Sequence, residues 1–163
     1  MTRRQRSRVY TVADFVLFQV CWFACAYTGP LGLWWLGPLA ASLFIAWSCW
    51  RGTPARVLRL ALGGAVLGLL LDGLMVWMGA LSFPAPRQET IGTGMPVPLW
   101  MIGLWAAFGT LMDGPFRWLQ GRYVLGATFG ALGGPLSYLA GARLGGLQLG
   151  ESPAQSLVLI GVE

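Results

Sequence analysis

The chain has 163 residues, 56% of them hydrophobic and only 10% charged, and its formal charge of +5 includes eleven basic residues that are all arginine. A soluble domain carries about 25% charged residues, so this chain cannot cover itself with polar surface, and its apolar content is too high for a disordered one. The arginines sit at segment ends rather than on one patterned face, which argues against nucleic acid as a partner. Histidine is absent, and Cys21, Cys25 and Cys49 lie inside apolar runs, without CxxC pairs, so no metal and no cofactor is expected.

A bilayer core of about 30 Å needs about 20 apolar helical residues. Five stretches qualify: residues 9–28, 31–50, 58–83, 98–116 and 123–149. A sixth, residues 156–163, is too short to span, so the last helix is expected to be short or truncated. The fold expected is all-α: one integral membrane domain over residues 1–163, a polytopic bundle of five full transmembrane helices plus a partial sixth. No internal repeat is evident. The connection over residues 82–97 holds three of the ten prolines and reads as a surface loop.

Arg3, Arg4, Arg6 and Arg8 precede the first segment, Arg51, Arg56 and Arg59 follow the second, and Arg117 and Arg122 separate the fourth from the fifth. If every segment crosses, these fall on one side, leaving only Arg87 and Arg143 opposite. The positive-inside rule then places the N-terminus in the cytoplasm. A basic start, an apolar run and Ala24-Cys25-Ala26 also fit the outline of a signal peptide; Gln19, Trp22, Tyr27 and the close second segment argue against it.

Polar groups inside hydrocarbon are functional candidates by default. Asp72 falls near the middle of the third segment, on a face of small residues that reads Ala61, Ala65, Gly68, Asp72, Met75, Gly79. The opposite side reads Leu62, Val66, Leu69, Leu70, Leu74 and should meet lipid. Gln19, Ser42 and Ser137 count to a similar depth, which predicts a polar layer around Asp72. The carboxyl either binds a proton or substrate or joins helices by hydrogen bonding. Tyr138 and Arg143 complete the set of intramembrane candidates, Arg143 being expected to snorkel outward. Asp113 is expected to pair with Arg117 at the inner interface, with a headgroup site alongside Arg117 and Arg122 as the alternative. Asp14 is expected to be solvated.

The fifth segment carries Gly126, Gly130 and Gly134 at four-residue spacing, a pattern for close helix packing within the chain or against a second copy. Pro135 is expected to kink or break that helix. Trp34, Trp35, Trp47, Trp50, Trp100 and Trp118 read as interfacial belts. Trp22, Trp77 and Trp105 lie deeper, suited to core packing or to an aromatic pocket for an acyl chain. No phosphate-cradling loop, HExxH or nucleophile elbow occurs, so the reading leans away from an enzyme.

Phe18-Gln19 before Trp22-Phe23, Asp72 in its glycine-rich helix, the run from Pro98 to Phe108, Trp118-Leu119, and the run from Gly130 to Gly145 together resemble one bacterial inner-membrane family, domain-of-unknown-function family 2878. The resemblance spans almost the whole chain. It implies a small polytopic protein with no assigned activity, a full last helix where this chain stops at Glu163, and a lipid-linked setting, because lipid-modifying enzymes are encoded near such proteins. Asp113-Gly114-Pro115 departs from the family pattern. The function expected is therefore that of an uncharacterised membrane protein that binds or moves a lipid-like substrate or supports a lipid-modifying complex. Its partners would be membrane lipids and a second copy or a lipid enzyme docked through the fifth helix. The alternatives are a membrane-embedded enzyme acting on acyl chains and a proton-coupled small transporter using Asp72.

Overall fold

A computed structural model describes residues 3–28, 31–83 and 96–162, and places side chains from residue 9 onward within them. Most of the loop expected over 82–97, including Arg87, lies outside the described residues, as does Glu163. The described chain is all-helical apart from one short strand pair: α1 (Arg3–Thr28), α2 (Leu36–Arg51), α3 (Pro54–Trp77), β1 (Leu81–Ser82), α4 (Leu99–Thr110), α5 (Tyr123–Arg143), β2 (Gln148–Leu149) and α6 (Pro153–Val162), with two 3₁₀ turns between α4 and α5.

The helix ends differ from those expected for identifiable reasons. α2 begins five residues late because Gly32 takes φ +75°, which a right-handed helix cannot include. α3 begins four residues early because Pro54, with φ preset and no N–H to satisfy, suits the first helical turn. α3 and α5 both stop short. Gly79 (φ +72°) and Gly145 (φ +83°) follow them in the left-handed conformation, and Ala80 N–H and Gly146 N–H reach back to the carbonyls of Met75 and Gly141, closing the carbonyl ends. Each helix then passes into a two-residue strand, and the strands pair antiparallel, Leu81 opposite Leu149 and Ser82 opposite Gln148. The units α3–β1–α4 and α5–β2–α6 are thus built to one plan, helix, glycine cap, two-residue strand and helix.

The central helix is α4, packed against α1, α2 and α3. Trp100, Met101, Leu104, Ala107 and Leu111 fill the core with Phe18, Cys21 and Cys25 of α1 and Phe44 of α2. Backbones approach closely where glycine permits. A Cβ on Gly37 would lie 2.7 Å from that of Trp100, and a Cβ on Gly64 or Gly109 would collide with a carbonyl of the facing helix. α5 packs against α6. Within the chain its glycines differ. Gly126 and Gly130 face open space, and only Gly134 meets a neighbour, Ile160, at 3.5 Å.

α5 also runs unbroken through Pro135. The lost N–H leaves the Ala131 carbonyl without its helical donor, and Gly161 of α6 lies over that carbonyl and the proline ring. Of the five full crossings expected, two helices among the described residues are long and apolar enough to cross a bilayer on their own, Val9–Thr28 and Pro54–Trp77. At 16 and 12 residues, α2 and α4 reach only about 24 and about 18 Å. α5 has 21 residues, but five glycines and a proline dilute its hydropathy.

Candidate functional site

Most of the small face of α3 points inward: Ala61, Gly68, Asp72 and Met75 are buried, while Leu62, Val66, Leu70 and Leu74 are exposed. Leu69, expected on the outer side, packs against the core, and Gly79, expected inside, is exposed. Gly68, one turn before Asp72, leaves the room in which the Trp105 ring of α4 lies; any Cβ there would overlap the indole. That seat aims Trp105 Nε1–H at Asp72 Oδ2, 2.9 Å away. Tyr138 of α5 donates its hydroxyl hydrogen to Oδ1. Both carboxylate oxygens are engaged and Asp72 is 0% exposed. The arrangement joins three helices around one carboxyl group.

The polar layer expected around Asp72 is split. Gln19 and Ser137 do not reach the carboxylate; they come together in a cleft of about 340 Å³ between α1 and α5, walled by Phe18, Trp22, Phe23, Gly133, Leu136 and Ala140. Both polar side chains are exposed, so the cleft is open to whatever surrounds the bundle. Adjacent residues of α5 therefore face two ways, Ser137 into the cleft and Tyr138 into the core. Ser42 stands apart, donating to the Pro38 carbonyl of its own helix at 2.8 Å. Arg143 is exposed at the end of α5 and forms no ion pair with Asp72. Trp77, placed deeper by the sequence, is 83% exposed as the last residue of α3.

Two further carboxylates correct the expectations. Asp14 is not solvated but 1% exposed. It pairs with Arg51 of α2 and accepts Trp47 Nε1–H at 3.0 Å. No sequence signal marked this pair, because Asp14 and Arg51 lie at opposite ends of separate segments. Asp113 pairs with Arg56 at 3.0 Å and not with Arg117: α4 ends at Thr110, so the helical spacing that would bring residues 113 and 117 together is lost in 3₁₀ turns.

Among the described residues no group of three His, Cys, Asp or Glu side chains could hold a metal ion. Chemically, the Asp72 cluster can hold helices in register, and the α1–α5 cleft can take an apolar chain bearing a hydrogen-bonding group. No curated protein and no solved structure matches the chain. Residues 11–163 match the family described as Protein of unknown function (DUF2878), and the chain belongs to that family.

Proposed function

We propose that this chain is a single multi-pass membrane domain with a cytoplasmic N-terminus, and that it binds a lipid-like substrate in the α1–α5 cleft, to move it or to present it to a lipid-modifying partner. Membrane insertion is supported by the broad apolar surface left outside the bundle, including Val12, Phe15, Val20 and Phe23 on α1, Leu62 and Leu70 on α3, and Phe129, Leu132 and Leu136 on α5. Water would penalise that surface by about 25 cal/mol per Å²; acyl chains would not. The helices too short or too glycine-rich to cross alone would then do so as members of the bundle.

Substrate binding rests on one observation: an aromatic-walled cleft that opens on the apolar surface and contains two unburied polar side chains, Gln19 and Ser137. Ligand sites commonly combine apolar walls with a few polar groups that fix orientation. Asp72, sealed from this cleft with both oxygens engaged, supports a positioning role over acid–base chemistry. The test is labelling of the purified protein with a photoactivatable phospholipid. Label should fall on residues of α1 and α5 beside the cleft, and Ser137→Trp should remove it without lowering the melting temperature. Unchanged labelling of the Trp variant would sink the proposal.

A further inference from the structure

A second cleft, of about 460 Å³, opens where the α2–α3 turn meets the 3₁₀ turns after α4. It shares no lining residue with the α1–α5 cleft. Three arginines line it, Arg51, Arg56 and Arg117, against one lining carboxylate, Asp113. Arg51 is fixed from behind by Asp14 and by the rings of Tyr10 and Trp47, whose centroids lie 5.6 and 6.0 Å from its Cζ. Its buried Nε has no hydrogen-bond partner among the described residues. Arg56 is held by Asp113, whereas the Arg117 side chain is exposed and forms no ion pair among the described residues. The hydroxyl of Thr53, at the start of α3, caps no backbone N–H.

We propose that the Arg51–Arg56–Arg117 cleft binds a phosphate group, the chemistry shared by an anionic phospholipid headgroup and a free phosphate compound. Arginine forks match phosphate oxygens in pairs, and two of the three are already oriented by carboxylates, so less rotamer freedom is lost on binding. With Asp14 and Asp113 both counted, three positive charges face two negative ones, and the cleft accommodates a headgroup rather than a polymer. Nothing in this assignment requires a ligand between α1 and α5.

The test uses the intact protein in neutral detergent and follows its melting temperature against phosphatidylglycerol, phosphatidylcholine and inorganic phosphate at constant ionic strength. Saturable stabilisation by phosphatidylglycerol but not by phosphatidylcholine is expected, and Arg117→Gln should weaken it about tenfold, the loss of one charge-assisted contact. Arg122→Gln removes the same charge from outside the cleft lining and should leave binding unchanged. Stabilisation by phosphate, or competition by it, would assign the site to a soluble phosphate compound; stabilisation by phosphatidylglycerol alone would assign it to lipid. Equal weakening by Arg117→Gln and Arg122→Gln, equal stabilisation by phosphatidylcholine, or no stabilisation by either phosphate source would overturn the proposal.

Discussion

Tyr138 of α5 donates its hydroxyl hydrogen to Asp72 of α3, and this bond closes a polar cluster that α3 and α4 could not complete alone. Tyr138→Phe keeps the ring and removes the donor, leaving Oδ1 of a buried carboxyl short of a partner. The expected loss is about 1–3 kcal/mol of stability, read as a lower melting temperature in detergent. Because Ser137 is the next residue, the same change should also weaken retention of lipid between α1 and α5.

Asp72→Asn separates positioning from proton chemistry. An amide can still accept from Trp105 Nε1–H and can donate to the Tyr138 oxygen, so the cluster survives in altered polarity. Near-normal melting and lipid labelling are expected for Asp72→Asn, and a clear loss of both for Asp72→Leu. A folded Asp72→Asn protein with no function in cells would instead mark the carboxyl as an acid or base.

Glycines of similar appearance in sequence should respond in opposite directions. Gly68→Ala places a methyl group inside the Trp105 ring, so α3 and α4 must separate, with a loss of about 1–3 kcal/mol or more. Gly130 faces open space, and Gly130→Ala should stabilise α5 by a fraction of about 1 kcal/mol through helix propensity. Paired melting curves decide this. A destabilised Gly130→Ala protein would indicate that the open face is covered by a second copy, which sizing of the detergent-solubilised protein would reveal.

Asp14 and Arg51 form a pair whose members should be inseparable. Asp14→Ala leaves the Arg51 guanidinium without its counter-charge and Trp47 Nε1–H without its acceptor. Removing one partner of a buried ion pair costs about 3–5 kcal/mol. The double variant Asp14→Leu with Arg51→Met should recover most of that loss. Failure to recover it would mean that the two side chains act independently.

Much of this was legible in sequence where it depended on residues of one helix. The inward face of Asp72 and the outward leucines of α3 follow from a 3.6-residue period, whereas counting depth placed Gln19 and Ser137 around Asp72 and not in a cleft of their own. What escaped depended on residues far apart or on local turns. Asp14 gives no hint of Arg51 until α1 and α2 lie side by side, and Asp113 turns to Arg56 because α4 ends early. The helix ends were written in the chain all the same: Met78-Gly79-Ala80 and Leu144-Gly145-Gly146 are glycine caps, overrun because the apolar pattern continues past them. Pro135 does not break α5, since a proline inside a packed helix can be accommodated by a neighbour.

That accommodation makes the final prediction. Gly161 of α6 approaches α5 where Pro135 removes a backbone donor: a Cβ on Gly161 would lie 3.1 Å from the Ala131 oxygen and 3.3 Å from the proline ring. Gly161→Leu should therefore force α6 away from α5, while Pro135→Ala should restore the N–H to the Ala131 carbonyl and stabilise α5, recovering part of the roughly 3 kcal/mol that an interior proline costs. Cysteines placed at facing positions of α5 and α6 would report both effects by cross-linking. Their yield should fall in Gly161→Leu and hold in Pro135→Ala. A Pro135→Ala protein that melts lower than the parent would mean that the proline ring itself, and not the glycine approach, holds α6 in place.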